Sequence, residues 1–173
     1  MTLVGIFCGI AFAIAVLALA TPKHFDISRS IVIDRPLDEV FEDLRYLKRQ
    51  NQWSPWARRD PQMEERFSGT DGQVGATNYW KGNKEVGEGE QEITKIIDGK
   101  RIESELRFLK PFKSTSTAYL LTEAIDPGST RVRWGFSGKN GFPMNFVMLL
   151  MKKTMGRDFE QGLDRLKDRL ENS

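Results

Sequence analysis

Three glutamates at alternate positions, Glu88, Glu90 and Glu92, stand in the stretch GNKEVGEGEQE, residues 82–92. Carboxylates grouped in this way hold metal ions or pass protons. Alternate residues of a strand share a face, so the three would stand together. With Ile93 turned inward they face water instead, where Arg107 can pair with Glu90. The glycines suggest a phosphate loop, yet no Gly-Lys-Ser/Thr follows and no helix begins there. Gly87 and Gly89 read instead as one strand face on which the sheet bends or a helix comes close. Asp38, Glu39, Glu42 and Asp43 lack metal-loop spacing and read as the wet face of a helix. The one cysteine, Cys8, and the one histidine, His24, are too few for a Cys/His zinc site. A Ser-His-Asp arrangement would have to use His24, directly behind an apolar segment. The sequence therefore assigns no catalytic residue, no metal site and no cofactor.

The polar groups expected to point inward are few: Asn78, Gln91 and Ser104, with Thr117 and Tyr119 as further candidates. Such groups orient a carbonyl or hydroxyl on an otherwise apolar ligand, or bond to one another. None is a good general base at neutral pH. A carboxylate turned inward beside Asn78 or Gln91 would favour an enzyme; a dry interior with scattered hydroxyls and amides would favour a carrier. A filled core without a cavity would point to a protein-interaction module. The aromatic residues are more telling. Trp53 and Trp56 bracket Ser54-Pro55 and read as the wall of a pocket, with Arg58 and Arg59 on its wet side. Trp80 and Trp134 fall on inward strand faces. With Leu106, Phe108, Phe136, Met151, Met155 and Phe159 they complete the expected lining, in which methionines adapt to varied ligands.

The elements that must position these residues follow from periodicity. His24 to Asp34 alternates, with Phe25, Ile27, Ile31 and Ile33 on one side of a first strand. Pro36 suits the first turn of a helix carrying Leu37, Val40, Phe41, Leu44 and Leu47, which runs out near Lys48. Strands are predicted at 62–68, 74–82, 86–97, 100–109, 114–123 and 130–138, divided by Gly, Pro and Asp breakers. Asp98-Gly99 predicts a two-residue hairpin that sets Ile96 opposite Arg101, Ile93 opposite Ser104 and Glu90 opposite Arg107. Ile102, Ser104, Leu106 and Phe108 share the dry face, as do Val132, Trp134 and Phe136. From Pro143 to Leu170 a long helix carries a stripe of Val147, Met151, Met155, Phe159, Leu163, Leu166 and Leu170. Its run 146–151 is apolar all round and precedes Lys152 and Lys153. It is either buried deeply or borders a ligand portal and leans on a membrane.

At 173 residues with a net charge of +2, the chain is one domain long and has no basic stripe, which excludes a nucleic-acid partner. Residues 3–20, LVGIFCGIAFAIAVLALA, carry no charge and are long enough to cross a bilayer. A retained anchor is favoured over a cleaved signal because the run is long and its n-region poor. Cleavage after Ala20 would make the protein secreted or periplasmic. Lys23, His24 and Arg29 follow the segment and nothing positive precedes it, which points to a cytoplasmic domain, but a two-residue tail leaves the side of the membrane undecided. Gly5 and Gly9 form a GxxxG that would support a weak dimer. Residues 1–22 are thus an anchor or signal and 23–173 a single ligand-binding domain.

The order strand, short helices, six strands, long helix suggests a curved antiparallel sheet gripping a helix, with a cavity between them. Sequence blocks sharpen this. "RSIVIDRPLDEVFEDLRYL", "WSPWARRDP", "FSGTDGQVGATNYWKGNKEVGEGEQEI" and "GRDFEQGLDRLKDRLE" resemble, in order, those of the START-like/SRPBCC superfamily, bacterial polyketide cyclase/dehydrase-like branch. The resemblance covers about residues 23–171. It implies an α+β helix-grip fold of about seven strands around a C-terminal helix, here behind an N-terminal membrane helix. It also implies an internal cavity for a hydrophobic small molecule or lipid, or for the substrate of a cyclase/dehydrase-type enzyme. Branch members with a short N-terminal membrane segment fit the apolar start, and the resemblance so implies anchoring at a bacterial inner membrane.

Overall fold

The computed structural model describes residues 17, 18 and 20–172. The expected N-terminal membrane helix and the Gly5/Gly9 contact lie outside them almost entirely. Among the described residues no helix is long and apolar enough to cross a membrane.

Strand β1 (His24–Ile33) leads into three short helices, α1 (Leu37–Leu44), α2 (Leu47–Trp53) and α3 (Pro55–Arg59). Six strands follow: β2 (Glu64–Ser68), β3 (Thr77–Lys81), β4 (Glu88–Ile97), β5 (Arg101–Lys110), β6 (Ser114–Asp126) and β7 (Ser129–Lys139). The chain ends in α4 (Met144–Glu171). The seven strands form one antiparallel sheet in the order β1-β7-β6-β5-β4-β3-β2. Helix α4 lies along β1 on the dry face, as expected of a helix-grip fold.

The close approach of α4 rests on two glycines. A Cβ on Gly156 would stand 2.2 Å from the Arg29 guanidinium, and one on Gly162 2.6 Å from the Trp134 ring. Arg29 itself is an unexpected inward residue. It pairs with Trp134 in the sheet and ends on Glu160 of α4 at 2.5 Å.

The predicted first helix breaks in two. Tyr46 is extended, and Leu47 begins α2 rather than ending α1. The cause lies far away in sequence. The Asp71 carboxylate accepts hydrogen bonds from the backbone N–H of Leu47 at 2.8 Å and of Lys48 at 3.3 Å, capping α2. Asp43, expected on the wet face, is buried and accepts two bonds from Arg169 at 2.6 and 2.7 Å. Burial raises its carboxyl above the ordinary value of 3.8, against the pull of Arg169 and Arg49. The folded chain then holds this proton more tightly than the unfolded chain. The resulting stabilisation is full below the unfolded value and is lost as pH rises through the folded one. Stability measured by urea between about pH 3.5 and about pH 7 should show this decline in the wild type relative to Asp43→Asn. Parallel profiles for the two would contradict the assignment.

The Asp98-Gly99 turn is a three-residue hairpin. Lys100 N–H bonds to Ile97 O, and only Gly99 has positive φ, which rules out the type I′ turn. Ile96 therefore faces Ile102 rather than Arg101. A bulge at Thr94 takes up the extra residue, so that Ile93 still faces Ser104 and Glu90 still faces Arg107.

On the outer face Arg107 is clasped by Glu90, Glu92 and Glu105, which together hold its guanidinium firmly charged. Glu88 instead bonds Lys110 and Tyr79, which lower its carboxyl. The three glutamates thus face outward and are engaged by cations. No cluster that could hold a metal occurs among the described residues.

Candidate functional site

Aromatic side chains divide the inner face into a plug and a row. In the plug Trp134 stacks on Phe159 with ring centroids 4.5 Å apart, and Trp53 and Trp56 meet its edge at 4.9 and 5.5 Å. Trp53 is only 1% exposed. The WSPW corner is therefore packed core at one end of the grip. Proline at the first position of α3 sets the turn that sends Trp56 back toward the sheet. On the wet side of this corner Arg59 bonds the buried Asp158 at 2.5 Å.

The row runs across the sheet at the other end. Phe25 of β1 meets Phe136 at 5.3 Å, Phe136 meets Phe108 at 6.1 Å, and Phe108 meets Trp80 at 6.0 Å. Phe25 and Phe136 come from the neighbouring strands β1 and β7; from Phe136 onward the large rings come from alternate strands, β7, β5 and β3, and the intervening β6 and β4 supply small residues. Gly89 of β4 lies under Trp80: a Cβ there would stand 2.5 Å from the indole. Ser116 and Ala118 of β6 lie between Phe108 and Phe136. Trp80, Leu106 and Phe108 are half-buried, and Met148 and Met155 of α4 pack against the core, Met148 beside Phe25 and Ile27.

Beyond Trp80 the interior becomes polar. Asn78 Nδ2 donates to Glu65 Oε1 at 3.2 Å, and Asn51 Nδ2 donates to the same oxygen. Glu65 lies opposite Trp80 in the β2–β3 ladder and shares its inward face. A carboxylate only accepts, so it fixes Asn78 with its amide group toward Glu65. That leaves Asn78 Oδ1 without a hydrogen-bond partner among the described residues, on a side chain 5% exposed. Trp53 Nε1 is a second such atom. A buried polar atom left unpaired costs about 1–3 kcal/mol. Next to this group Gln91 Nε2 donates to Ser104 Oγ and to Gln50 Oε1, both at 3.2 Å, and Gln50 Nε2 donates to Leu44 O at 2.8 Å. This chain ties α2 to the sheet.

Among the residues expected to line a cavity, the sheet brings Asn78, Trp80, Gln91, Ser104, Leu106, Phe108, Trp134 and Phe136 to the inner face, and Trp53, Trp56, Met155 and Phe159 pack onto it. Met151 does not join them. It is 45% exposed, as is Val147 in part, because α4 is rotated so that Asn145, Met148 and Lys152 face β1. Deep burial of 146–151 is likewise not found: Leu149 and Leu150 are exposed. A run apolar on all sides gives no periodicity from which to read the rotation. Thr117 and Tyr119 point outward, since Ala118 pairs with the inward Phe136; Tyr119 crosses Gly135 to bond Asp26 at 2.7 Å.

Glu65 was missed by sequence reasoning. The available signal was the spacing of Met63, Glu65 and Phe67, which puts a charge in the middle of an apolar face. It is the inward carboxylate beside Asn78 that the sequence analysis took to favour an enzyme.

Two cavities lie against β1 among the described residues. One of about 550 Å³ is an open depression on the outer face, lined by Asp26, Thr117, Ser137 and their neighbours. One of about 150 Å³ lies on the inner side between Phe25 and Ile27 of β1 and Asn145, Met148, Leu149 and Lys152 of α4. This inner cavity lies at the β1–α4 mouth, where the aromatic row begins, at the opposite end of the row from Asn78 and Trp80.

The model of the family described as polyketide cyclase / dehydrase and lipid transport matches residues 24–171. No curated protein matches the sequence significantly. Solved structures with the same fold include a protein of Nitrosospira multiformis, 17% identical, covering 84% of this chain and 96% of that one, with a TM-score of 0.62. A protein of Arthrobacter aurescens is 15% identical over 86% of this chain and 87% of its own, TM-score 0.61. The Aha1 dimer of Colwellia psychrerythraea is 17% identical over 84% and 96%, TM-score 0.57. At these identities the likeness establishes the fold alone.

Proposed function

Since the chain belongs to the polyketide cyclase/dehydrase and lipid transport family, we propose that it binds a hydrophobic small molecule or lipid-like ligand on its inner face while tethered to a membrane by residues 3–20. The observation that carries this reading is the aromatic row. It begins at the β1–α4 cavity and ends at the Glu65–Asn78 group. A ligand's apolar body lies along the row, and its polar end meets Asn78 Oδ1 and Glu65. Both are acceptors, so they select a ligand bearing a hydroxyl or another hydrogen-bond donor. The cavity is smaller than the roughly 300 Å³ of an ordinary ligand pocket, so binding displaces side chains. Met148 and Met155 are suited to this, being unbranched and flexible.

Glu65 favours a second reading, an enzyme of cyclase/dehydrase type in which this carboxylate takes a proton from the ligand's polar end. Glu65→Gln separates the two. The Gln oxygen still accepts from Asn51 and Asn78, so binding geometry is kept while the base is lost. For a carrier, the quantity and identity of ligand extracted from the purified protein should stay within about twofold of wild type, since the neutral oxygen still accepts. For an enzyme, the extract should shift from product to unreacted substrate, as loss of a general base slows turnover about 10²–10⁴-fold. An extract with no organic ligand from either protein would sink both.

A further inference from the structure

One end of the domain carries most of its exposed large apolar side chains. Of eleven large apolar side chains exposed among the described residues, only Val74, Ile97 and Ile125 lie elsewhere. At this end Leu149, Leu150 and Met151 project from α4, Phe142 precedes it, and Leu109 and Phe112 flank the β5–β6 turn. Leu150 and Phe112 are 65% and 66% exposed. The strand ladders bring these segments to one end of the sheet: His24 pairs with Lys139, and Phe108 with Ser114. Lys23, Lys113, Lys139, Lys152 and Lys153 surround them, and none of the five forms an ion pair among the described residues.

The N-terminal segment leaves the domain at this same place. Asn145 Nδ2 of α4 donates to Thr21 O at 3.0 Å, and both residues are buried. The uncharged residues 3–20 thus end against the first turn of α4. Exposed apolar side chains gathered at one end and rimmed by polar residues mark protein or membrane contact sites, and a rim of lysines complements anionic headgroups.

We infer that this end rests on an anionic phospholipid bilayer, with Leu150 and Phe112 inserted among the acyl chains and the lysines at the headgroups. The β1–α4 mouth, lined in part by Leu149 and Lys152, then opens onto lipid. The inference rests on residues 3–20 entering the bilayer. It does not depend on which ligand is carried.

The test uses the full-length chain in vesicles of phosphatidylcholine with phosphatidylglycerol. In a Cys8→Ser background a nitroxide is attached at Leu150→Cys, at Phe112→Cys or, at the opposite end, at Ile97→Cys. Collision rates with oxygen and with a water-soluble nickel chelate are read by electron paramagnetic resonance. The expected result is oxygen-rich, nickel-poor collision at 150 and 112, with the reverse at 97. Nickel access at 150 and 112 equal to that at 97 would overturn the inference. So would shielding from both reagents, which means that protein covers the patch, either a second copy or residues 1–16 folded back. A chain that fails to float with the vesicles would overturn it together with its premise about residues 3–20. Because the labels report contact and not cargo, a domain that floats without extractable ligand refutes the binding function alone.

Discussion

Trp134→Ala should destabilise the domain by about 3–5 kcal/mol, the range for deleting a large buried aromatic side chain. Three neighbours lose their partner at once. Phe159 loses a stacked ring at 4.5 Å, and Trp53 and Trp56 lose the edge contacts that hold the WSPW corner to the sheet. Helix α4 also loses the surface that Gly162 was shaped to meet. The cavity cannot close easily, because its walls are a strand, α4 and the short helices, each fixed by other contacts. Trp134→Phe, which keeps a ring on Phe159, should recover much of the loss. Urea unfolding followed by circular dichroism measures both variants. A cost below about 1 kcal/mol for the alanine variant would mean that the plug is not the structural centre described here.

Gly89→Val should have the largest effect on the proposed site. A Cβ there stands 2.5 Å from Trp80 Cζ2 and 2.7 Å from the backbone oxygen of Arg107. The backbone cannot yield without breaking the β4–β5 ladder, so Trp80 must swing away from Phe108. Overpacking of this kind costs about 1–3 kcal/mol. The row is cut where it meets Glu65 and Asn78, and ligand recovered from the purified protein should fall about tenfold or more, which corresponds to about 1.4 kcal/mol or more of lost binding. Gly128→Ala is the control. Its nearest neighbour is the Asp126 carboxylate at 3.7 Å, and neither stability nor ligand should change. A folded Gly89→Val protein that keeps its full ligand content would remove Trp80 from the site.

The dry face of the sheet was largely legible because strand alternation is a local signal. Ile102, Ser104, Leu106 and Phe108 needed only their own order to be placed on the dry face, and the ladders agree. What escaped was decided elsewhere in the chain. The break before Leu47 depends on the Asp71 carboxylate, from the loop between β2 and β3. Burial of Asp43 depends on Arg169, near the end of α4. Glu65 belongs to a strand of five residues, which turns too few side chains inward to establish a pattern. The phase of β6 was misread because Thr117 and Tyr119 suit a strand face as well as Ser116, Ala118 and Leu120 do. Only pairing with Phe136 and Trp134 selects the latter.

The family points to hydrophobic-ligand binding or cyclase/dehydrase-type chemistry, and the proposed function puts the ligand on the aromatic row in either case. The most direct measurement is therefore mass spectrometry of an organic extract from purified full-length protein, set beside Phe108→Arg. Phe108 touches both Trp80 and Phe136, so an arginine there puts a charge in the middle of the row. The prediction is a defined apolar compound bearing a hydroxyl or similar donor, near one per protein in the wild type and absent from the folded variant. The same compounds in equal amounts from both proteins, or none from either, would contradict the assignment of this inner face as a binding site.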